Sequence, residues 1–238
     1  GTIRRISEAM DPWSFKVWPI GAPRAYDLQR HYMVRFVERM PPTGAIAAFD
    51  RSWNGRVLVE CVEKPTPDHR WRAAHREIPD FERALTDDGV RLIKLFFHIS
   101  PDEVLARLRA RLCDPLKPWK LSPEDVRNHD RSNDYAFATD EMFARTSRDA
   151  APWHLIAAHN KLHGRIAAIT TIVDRLSHNV DLNPPIPGEN VLRAARSYMN
   201  IPPELLSRLG GQAERSFPFG TGEDQPFSSI SSAAKPSR

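Results

Sequence analysis

The clearest candidates for chemistry are Asp50 and Arg51, which follow the short apolar run Ala45–Phe49. A run of this length, bounded by Gly44 and by polar residues, predicts a buried strand of a parallel sheet. In open α/β sheets, ligands bind at the carboxyl ends of the strands. A carboxylate there can hold a metal ion, and an adjacent guanidinium can neutralise phosphate oxygens. The simpler interpretation is a helix-capping Asp50 beside a surface Arg51, and spacing alone leaves both interpretations open.

A second candidate is the cation-rich segment 107–120, RLRARLCDPLKPWK. Its charged candidates are Arg107, Arg111, Lys117 and Lys120. The two arginines share a helix face one turn apart, and the lysines flank Trp119 in a loop that contains proline. Such a segment between two helices is typical of a mobile lid that closes over phosphate, with Trp119 stacking on a base or anchoring the loop. A solvated basic helix explains the same pattern. Nucleic-acid binding ranks last, because no recognised nucleic-acid motif accompanies the segment.

The sequence lacks the patterns of several other sites. His154, His159 and His163 are not joined by a further Cys or carboxylate into a plausible metal site. Neither G-x-x-x-x-G-K-[ST] nor G-x-G-x-x-G occurs in the chain. Cys61 and Cys113 are too few and too isolated for a disulfide framework or a structural zinc site.

Composition sets broad limits on the fold and on the partners. The 238 residues, 41% hydrophobic and 27% charged, fit one α/β domain with appendages. A net charge of +4 argues only weakly for an anionic partner. No apolar run approaches the length of a transmembrane helix and no signal peptide is visible, so the expected location is cytoplasmic, without membrane contact.

Apolar runs and helical spacing alternate along the chain. Strands are predicted at Phe15–Ile20, Ala45–Phe49, Val90–Ile99 and Trp153–Ala158. Helices are predicted at Ala25–Arg39, Asp68–Leu85, Val104–Arg111 after an N-cap at Ser100, from Ser122 to near Arg145, His163–Leu176, Asn190–Asn200 and Pro203–Leu209. This alternation indicates an α/β fold with a parallel sheet, followed by a disordered tail over 213–238.

Six segments occur in the order found in family-2 polyphosphate kinases, which this chain resembles over residues 1–177. They are FDRSWNGRVLVE, IPDFE, KLFFHIS, RLCDPLKPWKLSPED, DEMFARTS and APWHLIAAHNK. The resemblance implies a three-layer, P-loop kinase-like (thymidylate-kinase-like) parallel sheet flanked by helices, over residues 1–180, with a helical lid at about 107–130. Residues 181–212 would then form a C-terminal helical extension. One departure is Asn54, where the family usually has Tyr.

The resemblance also implies a function and a site. The chain would move the terminal phosphate between inorganic polyphosphate and ADP or AMP, with Asp50 as the Walker B acid that binds Mg²⁺. Arg51 and Arg56 would contact the phosphate chain, and Trp119 would be the candidate for nucleotide stacking. The lid cations Arg107, Arg111, Lys117 and Lys120 would gather around polyphosphate and nucleotide phosphates. Relatives are often oligomeric, so a homo-oligomer is expected.

The first residues, GTIRRI, resemble the helix that follows a G-x-D-x-x-G-K-G phosphate loop in the family, with Gly1 as the last glycine of that loop. The resemblance therefore predicts a chain that lacks this loop and the first strand, and that is inactive or nearly so by itself. Two alternatives stay open. One is a polyphosphate-binding pseudoenzyme without catalysis, and the other is an ATP-dependent nucleoside monophosphate kinase.

Overall fold

The structure is a computed structural model that describes residues 1–63, 67–183 and 187–199. The chain divides into two compact units, Gly1–Val180 and Asp181–Arg238. The first unit contains the strands and all the candidate site residues. The helix predicted at Pro203–Leu209 and the tail predicted over 213–238 lie outside the described residues.

Parallel strands form at the four apolar runs. The strands are β1 (Phe15–Pro19), β2 (Ile46–Asp50), β3 (Lys94–His98) and β4 (Trp153–Ala157). Strand β1 pairs with β2 in parallel, and β3 pairs with β4 in parallel. The predicted strands are confirmed to within a few residues at their ends. Within the described ranges the two pairs are separate two-stranded sheets, and β2 is half-buried rather than fully buried.

Helices connect and cover the strands. In the first unit they are α1 (Thr2–Ser7), α2 (Ala25–Leu28), α3 (Val34–Val37), α4 (Gly55–Glu63), α5 (Asp68–Asp87), α6 (Pro101–Cys113), α7 (Pro123–Asp130), α8 (Ser132–Thr146) and α9 (Lys161–Ser177), with a 3-10 turn at Pro118–Lys120. The hydroxyl of Ser100 accepts from the backbone N–H of Glu103, which confirms the predicted N-cap of α6.

The prediction of one helix over Ala25–Arg39 is wrong. The chain instead forms the short helices α2 and α3, separated by residues 29–33. In this interruption the imidazole Nδ1 of His31 accepts from the backbone N–H of Met33 at 3.4 Å. The ring of Tyr32 lies under the guanidinium of Arg56, which belongs to α4. Contacts made in the folded chain therefore override the helical spacing of this segment.

The prediction of one long helix from Ser122 to near Arg145 is also wrong, although both of its ends lie close to the expected positions. Helix α7 ends at Asp130 and α8 begins at Ser132, with Arg131 between them. The guanidinium of Arg131 donates to the backbone carbonyl of Val62, 69 residues away, at 2.8 Å. The break in the helix thus connects this segment to the end of α4.

One buried cluster lies between the sheets and the helices α4, α5 and α8. Its buried members include Phe36, Trp53, Ile78 and Met142, with Phe96 of β3 packed against them. The indole of Trp53 meets the ring of Phe81 edge-on at 5.3 Å and the ring of Phe36 at 5.7 Å. Such contacts add to the stability gained from burial. Because Trp53 lies two residues after Arg51, the core itself fixes the loop that carries the candidate site.

The described part of the second unit contains one helix, α10 (Glu189–Tyr198), which lies near the predicted Asn190–Asn200. Among the helices that the structure describes, none has the length and apolar character needed to span a bilayer.

Candidate functional site

Asp50 and Arg51 lie at the carboxyl end of β2, as the sequence predicts. Asp50 is the last residue of the strand, and its backbone carbonyl accepts from the N–H of Ile20 at 3.0 Å. Both side chains are exposed, and among the described residues neither has a hydrogen-bond or ion-pair partner. A fixed backbone thus presents a carboxylate and a guanidinium to solvent.

The backbone of Arg51 is strained, with φ of 70°. A long L-residue rarely occupies the left-handed region, because its Cβ crowds the following carbonyl. Such conformations persist where the surrounding structure imposes them, and they concentrate at functional sites. The strained arginine at the carboxyl end of a parallel strand supports the functional interpretation of this pair over the surface interpretation.

A buried carboxylate holds the residues that follow. The indole Nε1 of Trp53 donates to Oε1 of Glu82 at 3.0 Å, and Nδ2 of Asn54 approaches the same oxygen at 3.5 Å. All three side chains are buried. Asn54, which departs from the family resemblance, therefore helps to hold the loop in place. Glu82 belongs to α5, so this helix fixes the position of the loop after β2.

The same carboxylate forms a buried ion pair. Nζ of Lys94, the first residue of β3, lies 2.6 Å from Oε2 of Glu82. It also donates to the backbone carbonyl of Thr146 at the end of α8, again at 2.6 Å. Burial lowers the pKa of Lys94 below its ordinary value, while the hydrogen bond with Glu82 opposes this effect. The pair joins α5, β3 and α8 directly behind the candidate site.

Arg56 lies in the first turn of α4 and is held in place by its neighbours. Its guanidinium forms an ion pair with Glu60, one turn further along the helix, and lies 4.5 Å from the ring centroid of Tyr32. Guanidiniums stack favourably on aromatic faces. The sequence prediction places Arg56 on the phosphate chain, and the structure shows a side chain whose orientation is already set.

Arg107 connects α6 to the end of β4. Its Nη2 donates to the backbone carbonyls of Ala158 and His159 at 2.7 and 2.8 Å, and its Nε donates to Glu103 at 2.7 Å. Nε2 of His159 lies 3.0 Å from the hydroxyl of Ser100, the N-cap of α6. This predicted phosphate ligand therefore also anchors the first half of the predicted lid.

The other lid candidates are more exposed. Arg111 is 3.7 Å from Asp125 of α7, and Lys117 forms an ion pair with Asp114. The side chain of Lys120 lies 5.0 Å from the ring centroid of Trp119, which is 77% exposed. No residue of α6, the 3-10 turn or α7 is buried. Few buried contacts are typical of segments that open at low cost in free energy.

The structure thus divides the predicted residues into two groups. Asp50, Arg51 and Arg56 follow one another from β2 into α4, and the lid cations lie on α6 and the turn after it. Within the described residues, no hydrogen bond or ion pair joins Asp50 or Arg51 to the lid cations. Sequence reasoning gave no role to Glu82 and Lys94. The available signal was a glutamate on the apolar face of α5, one turn after the buried Ile78.

Comparison with known proteins identifies relatives of the whole first unit. A family model for polyphosphate kinase 2 matches residues 1–183. A polyphosphate:AMP phosphotransferase of Acinetobacter johnsonii is 39% identical over 181 residues, which are 76% of this chain and 38% of that protein. ADP-polyphosphate phosphotransferase 2 of Rhizobium meliloti is 33% identical over 211 residues, covering 86% of this chain and 67% of that protein.

A solved structure agrees with the sequence matches. The crystal structure of polyphosphate kinase 2 from Arthrobacter aurescens TC1 superposes with a TM-score of 0.77 at 31% identity, covering 83% of this chain and 70% of that one. The chain spans well under two thirds of the first of the curated relatives, as the 38% coverage of the Acinetobacter protein illustrates.

Proposed function

The chain belongs to the polyphosphate kinase 2 family, and we propose that it acts in phosphotransfer between inorganic polyphosphate and a nucleotide. The observation that carries the proposal is the exposed pair Asp50 and Arg51 at the carboxyl end of β2, with the strained backbone of Arg51. The relatives named above are described as acting on AMP or ADP with polyphosphate. We expect one of these acceptors here.

The chain's own residues would supply part of what this chemistry requires, and the phosphate loop that the family resemblance places before Gly1 would supply the rest. Phosphoryl transfer needs positioning and charge neutralisation more than covalent chemistry. Arg51 would contact the transferred phosphoryl group, and Arg56 would contact the next part of the chain. The lid cations would approach the phosphates on closure, and exclusion of water would strengthen these interactions. Trp119 would stack on the base of the nucleotide.

Asp50 is suited to hold Mg²⁺. Magnesium sites at phosphates use one or two carboxylates, with substrate oxygens and water as the remaining ligands. The exposed carboxylate of Asp50, without a cation partner among the described residues, meets this requirement. When bound, Mg²⁺ would neutralise charge on the phosphate oxygens. The described residues include no cluster of three or more metal-binding side chains.

The proposal also includes the architecture of the fold, the oligomeric state and the cellular location. The two parallel strand pairs around one core fit a three-layer, P-loop kinase-like architecture with a helical lid. A homo-oligomer and a cytoplasmic location, with no role in nucleic-acid or membrane binding, stay predictions.

The test is a phosphotransfer assay on the purified chain, together with any residues that its gene encodes before Gly1. Long-chain polyphosphate and Mg²⁺ are supplied with AMP, ADP or GDP, and the phosphorylated nucleotide is quantified. Asp50→Asn should reduce turnover by about 100-fold or more, because charge stabilisation at the phosphates is lost. Asp87→Asn, which changes an exposed Asp at the end of α5, is the matched control and should retain turnover.

The acceptor that supports turnover identifies the substrate. Turnover that requires ATP as donor and ignores polyphosphate would identify a nucleoside monophosphate kinase instead. A folded protein that binds polyphosphate without turnover with any acceptor would contradict the proposal and favour a binding module.

A further inference from the structure

The carboxylate of Glu63 joins three helices at the end of α4. Nε of Arg127, on α7, lies 2.9 Å from Oε2 of Glu63, and the hydroxyl of Tyr135, on α8, donates to Oε1 at 3.2 Å. The side chain of Glu63 is 17% exposed, and that of Arg127 is half exposed. Salt screens such a partly buried pair less than a pair on the open surface. The second half of the predicted lid is therefore attached to the rest of the first unit at a defined point.

Tyr135 supports this attachment from α8. Burial and the charge of Glu63 raise the pKa of Tyr135 to about 12, so the phenol keeps its proton at neutral pH. The hydroxyl also lies 3.2 Å from Oδ1 of Asn128. A phenol has a single proton to donate, and a charged carboxylate is the stronger acceptor. The bond from Tyr135 thus orients the carboxylate of Glu63, whose other oxygen meets Arg127.

The break between α7 and α8 lies directly beside this contact. Arg131 has φ of −100° and ψ of 22°, which is not a helical conformation. Its guanidinium donates to the carbonyl of Val62 at 2.8 Å and lies 3.9 Å from Oε1 of Glu63. Lids turn at a few residues at the ends of helices or strands, where changes in φ and ψ are absorbed. Arg131 meets this description, and its side chain ties the break to α4.

The two sides of the break differ in burial. Helix α7 has no buried residue, whereas α8 buries Ala138, Met142 and Thr146. A segment with few buried contacts moves at a low cost in free energy, and a segment packed into the core does not. Motion at the break should therefore displace α7 and leave α8 in place. Arg127 belongs to the moving side, one helical turn before Arg131.

Helix α4 connects this contact to the candidate site. Its first residue, Gly55, follows the loop that carries Asp50 and Arg51, and its last residue is Glu63. A helix of this length places its two ends about 12 Å apart. One rigid element thus fixes the distance between the end of β2 and the attachment of the lid.

We propose that Arg131 is a hinge of the lid and that Glu63, through its ion pair with Arg127, is a positioning residue that restrains α7 relative to the site. A restrained lid loses less conformational entropy when it becomes ordered over bound phosphates. The inference rests on the proposed function, because the restraint serves catalysis only where the lid closes over a polyanion.

Hydrogen exchange of the full chain without substrate measures the restraint. Glu63→Gln and Arg127→Gln should each speed exchange of the α7 amides about threefold, as expected for the loss of one partly exposed ion pair. The double variant Glu63→Gln/Arg127→Gln should exchange no faster than either single variant, because all three lose the same contact. The amides of α8 should keep the rates of the parent chain, since its packing is unchanged.

The phosphotransfer assay measures the consequence for substrate binding. Glu63→Gln should raise the KM for polyphosphate about threefold, since ordering the lid then costs more entropy. It should leave kcat within about twofold of the parent value, because Asp50 and Arg51 are unchanged. Asp80→Asn is the matched control, as it removes a carboxylate from an exposed ion pair with Arg83 on α5. This control should change neither the exchange of α7 nor the KM.

Four results would overturn the proposal: unchanged exchange of α7 in both single variants, losses that add in the double variant, faster exchange with an unchanged KM, or an equal rise in the KM with Asp80→Asn. The exchange measurement is independent of catalysis. Faster exchange in a chain without turnover contradicts only the proposed function, and unchanged exchange in an active chain contradicts only this inference.

Discussion

Nζ of Lys94 lies 2.6 Å from Oε2 of Glu82, and both side chains are buried behind the loop that carries Asp50 and Arg51. A buried ion pair is costly to break, because removing one partner leaves an uncompensated charge away from water. This pair also orients the carboxylate that accepts from the indole of Trp53. The geometry behind the site therefore depends on two residues that touch no predicted ligand.

We expect Glu82→Ala to lower the free energy of unfolding by about 3–5 kcal/mol, because Lys94 is left buried without its partner. Urea denaturation at neutral pH, followed by circular dichroism, measures the effect. The double variant Lys94→Met/Glu82→Gln should recover most of the loss, since it removes both charges and keeps an acceptor for Trp53. Equal stabilities of the single and double variants would contradict this account.

Substitutions at Arg51 should affect activity and stability differently. Arg51→Gly removes the Cβ that crowds the left-handed backbone at φ of 70°, so stability should stay the same or rise by up to about 1 kcal/mol. Activity should fall about 100-fold or more if this guanidinium contacts the phosphates as proposed, because their charge is then no longer neutralised. Thermal unfolding and the phosphotransfer assay measure the two effects.

Arg51→Lys is the companion variant, since it keeps the charge and the strained backbone while losing the planar fork of donors. It should retain the stability of the parent chain and an intermediate activity. A large loss of stability in Arg51→Gly would show that the side chain supports the fold instead.

Arg107 and Arg111 lie one turn apart on α6, yet they should differ in their effect on stability. Arg107→Ala removes donors to the carbonyls of Ala158 and His159, and we expect a loss of about 1–3 kcal/mol. Arg111→Ala removes a partly exposed pair with Asp125 at 3.7 Å, so its loss should stay below about 1 kcal/mol. Urea denaturation compares the two variants.

Hydrogen exchange localises the difference between these variants. The amides of α6 should exchange faster in Arg107→Ala than in the parent chain, because the link between α6 and the end of β4 is gone. Equal exchange of these amides in both variants would contradict an anchoring role for Arg107.

The sequence predicts those features of the structure that depend on residues close together in the chain, and it misses those that depend on distant residues. Local signals predicted the strands, the N-cap at Ser100 and the start of the helix at Ser122 well, because apolar runs and capping side chains act over a few residues. The breaks at residues 29–33 and at Arg131 were missed. At the second break, Arg131 donates a hydrogen bond to the carbonyl of Val62, 69 residues away. No local sequence pattern predicts a contact over this distance.

The candidate site likewise contains features that the sequence predicted and features that it did not. The position of Asp50 and Arg51 at the end of a strand was predicted because a strand end is a local feature, whereas the supporting pair of Glu82 and Lys94 was not predicted. Glu82 and Lys94 are separated by a turn of the chain, and each by itself is typical of a surface charge. Only the packing of α5 against β3 brings them together.

We expect the folded chain to lose stability in mild acid because of two histidines, His75 and His154. Burial lowers the pKa of His75, against the opposing charge of Glu141, and burial also lowers the pKa of His154. Below the ordinary value of 6.5, the unfolded chain therefore binds more protons than the folded chain. The free energy of unfolding should be highest above this pH and should fall as the pH drops towards about 5.

Urea denaturation as a function of pH measures this loss. The variant His75→Gln/His154→Gln should show a shallower decline between about pH 6.5 and 5, because these two groups no longer take up protons on unfolding. His163→Gln, at an exposed position of α9, is the control and should keep the decline of the parent chain. An unchanged decline in the double variant would assign the effect to other groups.

Substitution of Trp119 tests whether the predicted lid contacts the nucleotide. Its indole is 77% exposed and donates to the backbone carbonyl of Leu116 at 3.0 Å, so Trp119→Ala should leave thermal stability nearly unchanged. If Trp119 stacks on the base, its loss should raise the KM for the nucleotide about tenfold, while Trp119→Phe keeps most of the affinity. Leu116→Ala, which changes an exposed apolar neighbour, should leave this KM unchanged. A rise in the KM for polyphosphate alone would place Trp119 on the phosphate path instead, because stacking requires a base.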